Sequence, residues 1–259
     1  DTMDTIATVE ESIRMIDAGC ELVRITAPSK REAENLKNIK DELLKRGYST
    51  PIVADIHFTP NAAEVAARIV EKVRINPGNY ADKKKFEEIE YTDKTYNEEL
   101  LRIKEKFTPL VKICKEHGIY LIAQMIAKTP DIMKDRIFNI AFIIDPKGEV
   151  IHQHIKTSFY QRETNTAPSD IWNVYLEKYG DDPEKLLEAL YPVAKTEIGN
   201  IGTLICAEGS YPEAARGLAL NGAEIIYRSQ YPEPWMGNQM NQIQNQSHAI
   251  FNTCYVLAP

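Results

Sequence analysis

The first 118 residues alternate between helical and strand patterns of hydrophobic positions. Apolar residues recur at three- and four-residue intervals in three segments, which predicts amphipathic helices, and short β-rich runs separate or follow these segments. The helices are predicted over 9–19, 29–44 and 61–70, with Ser29 as a helix cap, and the strands over 21–27, 51–58 and 73–76. Because parallel strands need a crossover connection, this alternation predicts parallel βαβ units.

The pattern changes beyond residue 80. Residues 80–98 are highly charged and weakly periodic, and a helix is predicted over 96–117, ended by Gly118. Strands then follow in closer succession, and the Pro-Lys-Gly-Glu turn at 146–149 indicates a hairpin. The later strands are predicted over 119–125, 139–145, 150–155, 201–206, 225–228 and 254–257, and the later helices over 183–190, 212–220 and 238–252. The whole pattern is typical of an α/β protein.

Charge narrows the classes of function. The formal net charge is −7, with 20 − 22 = −2 in residues 1–118 and 11 − 16 = −5 in the remainder. Neither part is basic, which argues against nucleic acid or an anionic membrane as a partner. No apolar run approaches the ~18 residues of a membrane span, and the acidic start Asp1-Thr2-Met3-Asp4 shows no secretory signal. We expect a cytoplasmic protein with trimmed ends that acts on a small molecule.

The cysteines argue against a metal centre. The chain has four, namely Cys20, Cys114, Cys206 and Cys254, and no two are close in sequence. Zinc and iron–sulfur sites usually show paired cysteines such as CxxC. We therefore predict free thiols in a reducing compartment, with no metal and no cofactor.

Polar side chains follow three of the predicted strands. Arg24, His57, and Arg74 with Asn76 stand at or near the strand ends. In a parallel α/β barrel such residues converge on the face where ligands bind, and two arginines, a histidine and an asparagine there suit a phosphorylated ligand. On spacing alone, the alternative is that these side chains simply reach solvent.

Longer motifs favour the ligand-binding interpretation. The segments DTMDT, AGCELVRITAP, VADIHFTPNAA and KVRINPGNYADKKKFE resemble hydroxymethylbutenyl diphosphate synthase over about residues 1–118. The resemblance implies part of a barrel that binds a cyclic diphosphate of methylerythritol, with Arg24, His57, Arg74 and Asn76 as substrate-binding residues. That family also needs further strands and a C-terminal domain with a [4Fe–4S] cluster for its reductive step. We therefore expect diphosphate binding without redox activity.

Two residues in the second part suggest covalent chemistry. Cys206 ends an apolar run just before a predicted helix, and Lys156 follows a hairpin strand. A thiol at such a turn is well placed as a nucleophile, since a helix N-terminus favours the thiolate. Taken alone, a buried strand cysteine and a solvated lysine are the more ordinary explanations.

Longer motifs favour the catalytic interpretation of Cys206 and Lys156. FNIAFIIDPKGEVIHQHIKTSFYQRE and TEIGNIGTLICAEGSYPEAARGLALNGAEIIY resemble the nitrilase, or carbon–nitrogen hydrolase, superfamily over about residues 118–259. The resemblance implies an α-β-β-α sandwich and a small amide or nitrile substrate. It also implies Cys206 as nucleophile, Lys156 as the cationic member of a Glu-Lys-Cys triad, and Glu163 as a further carboxylate that positions substrate. Homo-oligomers are common in that superfamily, which leaves this state open here.

The triad glutamate has no counterpart in this sequence. That base belongs to the superfamily's first half, in a Phe-Pro-Glu-like context, and the Pro-Glu pairs of this chain at 183–184, 212–213 and 232–233 all lie downstream. Loss of a triad base costs several orders of magnitude in rate. We therefore expect weak amidase or nitrilase activity, or none.

Neither part thus carries its family's complete catalytic set. We predict a half-barrel segment over 1–118 joined to a partial nitrilase-like segment over 119–259. Each alone exposes unpaired strand edges, so we also predict that they merge into one layered domain, with 119–125 added to the parallel sheet. Three functions stay open: a weakened carbon–nitrogen hydrolase, a phosphate-ligand binding module, and a recombined or designed scaffold without native function.

Overall fold

The computed structural model describes residues 2–75, 80, 92–129, 131–159, 164–229 and 239–258. The chain divides into two compact units. The N-terminal unit comprises Asp1–Tyr120 with Pro146–Gly148, and the C-terminal unit comprises Leu121–Asp145 with Glu149–Pro259. No helix among the described residues is both long enough and apolar enough to cross a bilayer.

The N-terminal unit contains a three-stranded parallel sheet in the order β1-β2-β3. Its elements are α1 (Thr5–Asp17), β1 (Val23–Thr26), α2 (Lys30–Lys45), β2 (Ile52–Asp55), α3 (Pro60–Ala66), β3 (Lys72–Arg74) and α4 (Asp93–His117). The predicted strand–helix alternation and the parallel sheet are therefore confirmed. In the described residues the sheet stays open and does not close into a barrel.

The two faces of this sheet differ because successive strand residues point to opposite sides. One face carries Val23, Ile25 and Ile52, which are buried in a core with apolar residues of the neighbouring helices. Alternation places Arg24 and Arg74 on the other face. The sheet thus separates an apolar core from a polar face.

Two predicted helix ends can be compared with the structure. Gly118 adopts the left-handed conformation, with φ of 63°, directly after α4, as the stop signal predicted. Ser29 does lie at the N-cap of α2, but its hydroxyl donates to the Glu32 carboxylate instead of accepting from a backbone amide. The capping position was therefore right and the capping hydrogen bond was wrong.

The C-terminal unit contains two sheets. One is antiparallel, in the order β4-β5-β6, and the other has the order β10-β9-β8-β7, with β7 antiparallel to β8 and the remaining pairs parallel. The elements are β4 (Leu121–Thr129), β5 (Met133–Ile144), β6 (Val150–Ile155), α5 (Trp172–Tyr179), α6 (Pro183–Leu190), β7 (Val193–Thr196), β8 (Gly199–Ile205), α7 (Pro212–Leu220), β9 (Ile225–Ser229), α8 (Met240–Asn252) and β10 (Tyr255–Leu257).

Helices cover the outer faces of the two sheets. Phe138 and Ile140 of β5 pack against Tyr175 of α5, whereas Leu204 of β8 packs against Leu218 of α7. The opposite faces of β6 and β8 meet through side-chain hydrogen bonds between the sheets, described below. The layer order is therefore helix, sheet, sheet, helix, which agrees with the predicted partial sandwich.

Three expectations for this region fail. Residues 119–125 do not extend the parallel sheet: β4 pairs antiparallel with β5, because β5 returns along it directly after the turn. No helix was predicted over 172–179, where α5 lies; it is only eight residues long. No strand was predicted over 193–196 either, where β7 lies; β8 holds it through a tight turn that ends at Gly199, where φ is 120°.

Candidate functional site

Cys206 lies in a strained position at the end of β8. Its φ is 52°, in the left-handed region that non-glycine residues rarely adopt, and strain of this kind costs roughly 1–3 kcal/mol and often marks functional sites. A 3₁₀ turn, Cys206–Ser210, separates it from α7. Cys206 thus lies between the end of β8 and α7, in the order that the sequence predicted, with this turn between them. In the described part of the chain, no side chain hydrogen-bonds to the Cys206 thiol.

A buried arginine fixes the backbone at this cysteine. Arg228, in β9, is 3% exposed, and its Nε and Nη2 both donate to the Cys206 carbonyl oxygen at 3.3 Å. Its Nη1 and Nη2 also donate to Asn245 and Gln244 of α8, each at 2.9 Å. Gly209 permits this approach, because a Cβ there would lie 1.9 Å from Arg228 Nε.

Lys156 is buried, contrary to the ordinary expectation for a surface lysine. Only 1% of the residue is exposed, just after the end of β6. Its backbone N–H donates to the Asn139 carbonyl oxygen at 2.9 Å, and its Nζ lies 5.6 Å from the centre of the Phe159 ring. The latter distance suits a cation–π contact.

Glu208 is the residue that sequence reasoning missed. Its carboxylate is completely buried and accepts from the Thr157 backbone N–H at 2.6 Å, the Thr157 hydroxyl at 2.7 Å and the Ile205 backbone N–H at 2.7 Å. His154 Nε2 donates to the same group, at 2.9 and 3.1 Å from its two oxygens. A Cys-Ala-Glu sequence combined with His-Ile-Lys on a nearby strand was the available signal.

These contacts bring the two predicted catalytic residues to one carboxylate. Thr157 directly follows Lys156, and Ile205 directly precedes Cys206. Since Glu208 binds a backbone amide at each of these points, the ends of β6 and β8 lie against the same buried group.

The charge state of this cluster follows from its contacts. Burial raises the pKa of Glu208, but the neighbouring His154 and the hydrogen bonds from His154 and Thr157 outweigh burial and hold that pKa below its ordinary value. Burial and the nearby His154 lower the pKa of His152 to about 3, and His152 Nε2 lies 2.9 Å from the Thr203 hydroxyl. His152 is therefore neutral near pH 7.

Glu208 does not fit the role of the missing base. Both of its oxygens already accept hydrogen bonds, and its lowered pKa makes it a weak proton acceptor. The geometry suits a group that holds structure in place. The predicted Glu163 lies outside the described residues.

A second cluster lies at the strand ends of the N-terminal unit. Asp55, 3% exposed, accepts from Arg24 Nε and from Arg74 Nη1, each at 3.0 Å. His57 Nε2 accepts from Arg74 Nη1 at 3.1 Å and lies 3.3 Å from an Asp55 oxygen. The structure therefore brings together three of the four predicted ligand-binding residues, whereas Asn76 lies outside the described part of the chain.

The basic side chains of this second cluster keep access to solvent. Their exposed fractions are 47% for Arg24, 33% for Arg74 and 38% for His57. Burial raises the pKa of Asp55, but the neighbouring Arg24 and Arg74 outweigh it and hold the pKa below its ordinary value. Burial together with the charge of Arg24 lowers the pKa of Lys72 to about 8.

The described residues offer no iron–sulfur or zinc site. No three of their His, Cys, Asp and Glu side chains come together in a metal-binding arrangement. Cys20 is exposed and Cys114 is buried within α4.

Two family models match the sequence of the chain. The carbon-nitrogen hydrolase model matches residues 86–259, which is 259 − 85 = 174 residues and about two thirds of the chain. The chain belongs to the carbon-nitrogen hydrolase family. The GcpE TIM-barrel domain model matches residues 1–122, so the composition is chimera-like. The predicted junction near Gly118 lies in the overlap of the two matches, over 86–122, which contains α4.

Curated proteins similar to this chain include diphosphate synthases. The 4-hydroxy-3-methylbut-2-en-1-yl diphosphate synthase (flavodoxin) of Akkermansia muciniphila is 53% identical over 150 residues, which cover 58% of this chain and 25% of that protein. The synthase of the same name from Parabacteroides distasonis is 58% identical over 118 residues, covering 45% and 19%. The chain thus spans about a quarter or less of the length of these relatives.

Solved structures with some likeness to the chain include an amidase and a carbon-nitrogen hydrolase. An amidase from Nesterenkonia sp. gives a TM-score of 0.45 at 15% identity, covering 92% of this chain and 74% of that one. A carbon-nitrogen hydrolase from Helicobacter pylori G27 gives 0.43 at 18% identity, covering 91% and 70%.

Proposed function

We propose that the C-terminal unit is a carbon–nitrogen hydrolase segment with Cys206 as nucleophile and Lys156 as its cationic partner, and that its turnover of small amides or nitriles is weak or absent. The observation that carries this proposal is the Glu208 carboxylate, which binds the amides next to both residues. The strained φ of Cys206 and the burial of Lys156 support the same assignment.

The chemistry proceeds in two steps. The Cys206 sulfur adds to the amide carbon and forms a C–S bond, while the C–N bond breaks and ammonia leaves with the thiol proton. Water then hydrolyses the thioester, releasing the acid and restoring the thiol. Lys156 stabilises negative charge on the substrate oxygen during both additions.

The weak point of this scheme is removal of the thiol proton. The sequence matches no carboxylate to the family's base, and Glu208 is already fully hydrogen-bonded. We therefore expect acylation of Cys206 by reactive amides, with overall turnover several orders of magnitude below the ~10 s⁻¹ typical of enzymes.

The test combines ammonia release with mass spectrometry of the intact chain. Short aliphatic amides and nitriles are incubated with the chain and with Cys206→Ala. We expect a slow acyl adduct and slow ammonia release that both vanish in the variant. Turnover at an ordinary enzymatic rate would contradict the missing base, and identical adducts in both proteins would exclude Cys206 as nucleophile.

A second function is favoured by the Asp55 cluster. We propose that Arg24, His57 and Arg74 bind a diphosphate group, since each keeps a third or more of its side chain exposed. Calorimetric titration with inorganic pyrophosphate tests this, with Arg74→Gln as the variant and Arg68→Gln, a surface arginine on another part of the unit, as the control. We expect about tenfold weaker binding in Arg74→Gln only, a difference of about 1.4 kcal/mol; equal affinities would contradict the site.

A further inference from the structure

Side chains, and not a backbone ladder, join the ends of β6 and β8. These strands belong to different sheets of the C-terminal unit, so the separation of Lys156 and Cys206 depends on what lies between the sheets. Two buried hydrogen-bonded pairs connect these strands or the residues just after them: His152 with Thr203, and His154 with Glu208.

The two pairs differ in what they hold. The His152–Thr203 pair is one hydrogen bond between side chains within the strands. The His154–Glu208 pair lies at the strand ends, and its carboxylate also binds the Thr157 and Ile205 amides. The second pair therefore controls the backbone next to the proposed nucleophile and its cation, whereas the first does not.

Only an ionised carboxylate satisfies this set of donors. Glu208 receives donors on both oxygens, including His154, the Thr157 amide and hydroxyl, and the Ile205 amide. A glutamine presents two N–H donors of its own on one side, and these would face donors that they cannot pair with. Charge-assisted hydrogen bonds are also stronger than neutral ones.

We propose that Glu208, paired with His154, is the positioning residue that holds Lys156 against Cys206. This inference rests on the proposed function, since it concerns the same two reactive groups. Glu208 itself touches no substrate in this scheme. It acts through the backbone of Thr157 and Ile205, and displacements of about 1 Å at reacting groups can cost about a hundredfold in rate.

The test measures the reactivity of the Cys206 thiol and does not require turnover. The rate of alkylation by iodoacetamide is followed from about pH 6 to about pH 10, a range that brackets ordinary thiols. Trypsin releases Cys206 in the peptide 196–216, which contains no other cysteine, so mass spectrometry reports this residue alone. The variants are Glu208→Gln, Lys156→Ala, their combination, and Thr203→Val as the matched control in the other pair.

We expect Lys156→Ala to move the midpoint of the pH–rate profile upward, because a nearby cation favours the thiolate. Glu208→Gln should move it in the same direction, with about tenfold slower alkylation below the midpoint. The combined variant should equal Lys156→Ala alone, since the two changes remove one interaction. Thr203→Val should lower thermal stability and leave the profile unchanged, which separates positioning from a merely structural role.

Three results would overturn the proposal in distinguishable ways. A Glu208→Gln profile that overlays the parent, beside a shifted Lys156→Ala profile, removes the positioning role and leaves the proposed function intact. An unshifted Lys156→Ala profile removes the Lys156–Cys206 pairing itself. If Glu208→Gln fails to fold, Thr157→Val deletes one hydrogen bond to the carboxylate; it should cause a smaller shift in the same direction, and no shift contradicts the proposal.

Discussion

Each of the two units gathers polar groups at strand ends around one buried carboxylate, but the two clusters differ in whether those groups can reach a ligand. Asp55 collects the side chains of Arg24, His57 and Arg74, which remain a third to a half exposed. Glu208 collects two backbone amides and the completely buried His154. The first arrangement leaves the two arginines available to an external anion. In the second, the donors of the Glu208 carboxylate lie inside the protein. A buried carboxylate alone therefore does not identify a ligand site; the exposure of its partners does.

The largest difference between the clusters should appear when each carboxylate is removed. Glu208→Ala leaves a buried histidine and two amides without an acceptor and should lower the free energy of unfolding of the C-terminal unit by about 3–5 kcal/mol. Asp55→Ala should lower that of the N-terminal unit by only about 1–2 kcal/mol, because water reaches its partners. Trp172 lies in the C-terminal unit, so its fluorescence follows that unit during denaturation, and amide exchange in β2 follows the other. Equal losses would contradict the comparison.

Steric change at the Cys206 turn should come next in size. In Gly209→Ala the new Cβ would meet the Arg228 guanidinium, which must then leave the Cys206 carbonyl. We expect a loss of about 2–3 kcal/mol in the free energy of unfolding. Arg228→Ala supplies the control background, since the three atoms nearest to the new Cβ all belong to Arg228 and Gly209→Ala should cost much less once they are gone. An equal loss from Gly209→Ala in both backgrounds, measured by urea denaturation, would argue against the Arg228 contact.

Acid should destabilise the two units over different ranges of pH. The folded-state pKa of His152 is about 3, below its ordinary value of 6.5, so the unfolded chain binds its proton first. The C-terminal unit should therefore lose stability as pH falls below about 6.5, by up to about 1.4 kcal/mol per pH unit. Glu208 has a lowered pKa and adds its own loss only below its ordinary 4.5. In the N-terminal unit, Asp55 contributes a loss only below its ordinary 3.8.

The measurement is urea denaturation at several values of pH, followed by tryptophan fluorescence. His152→Asn should remove the part of the dependence that His152 contributes from about pH 6.5 down to about pH 3, leaving the further loss that Glu208 adds below 4.5. A dependence that survives in this variant would assign the effect to another group.

The smallest effect concerns competition for the arginines. Asp55→Asn removes the anion that pairs with Arg24 and Arg74, so pyrophosphate should bind severalfold tighter, by about 1 kcal/mol. Thr203→Val, in the C-terminal unit, should leave pyrophosphate affinity unchanged. Weaker binding in Asp55→Asn would mean that Asp55 orients the arginines more than it competes for them.

Much of the fold could be predicted because the signals are local. Helical spacing and the stop at Gly118 placed α4, and β-rich runs placed β1, β2 and β8. Short elements were harder to find. The eight residues of α5 and the four of β7 carry too few periodic positions to stand out, and their neighbours supply the packing that forms them.

In the candidate sites, too, local features were predictable and contacts between distant residues were not. Strand ends and motifs were enough to select Cys206 and Lys156 as candidates, because each of these signals lies within one short segment of the chain. The burial of Lys156 and the role of Glu208 were not predictable in this way, since Thr157 and Glu208 lie 51 residues apart.

The sequence by itself determined the elements, the parallel βαβ order and the residues able to do chemistry, since these follow from spacing along one chain segment. Only the tertiary structure decided that β4 turns back along β5, that Asp55 draws the N-terminal cations together, and that Glu208 links the ends of β6 and β8. The physical reason is that pairing, burial and hydrogen bonding between distant residues depend on which surfaces meet, and no local pattern specifies that meeting.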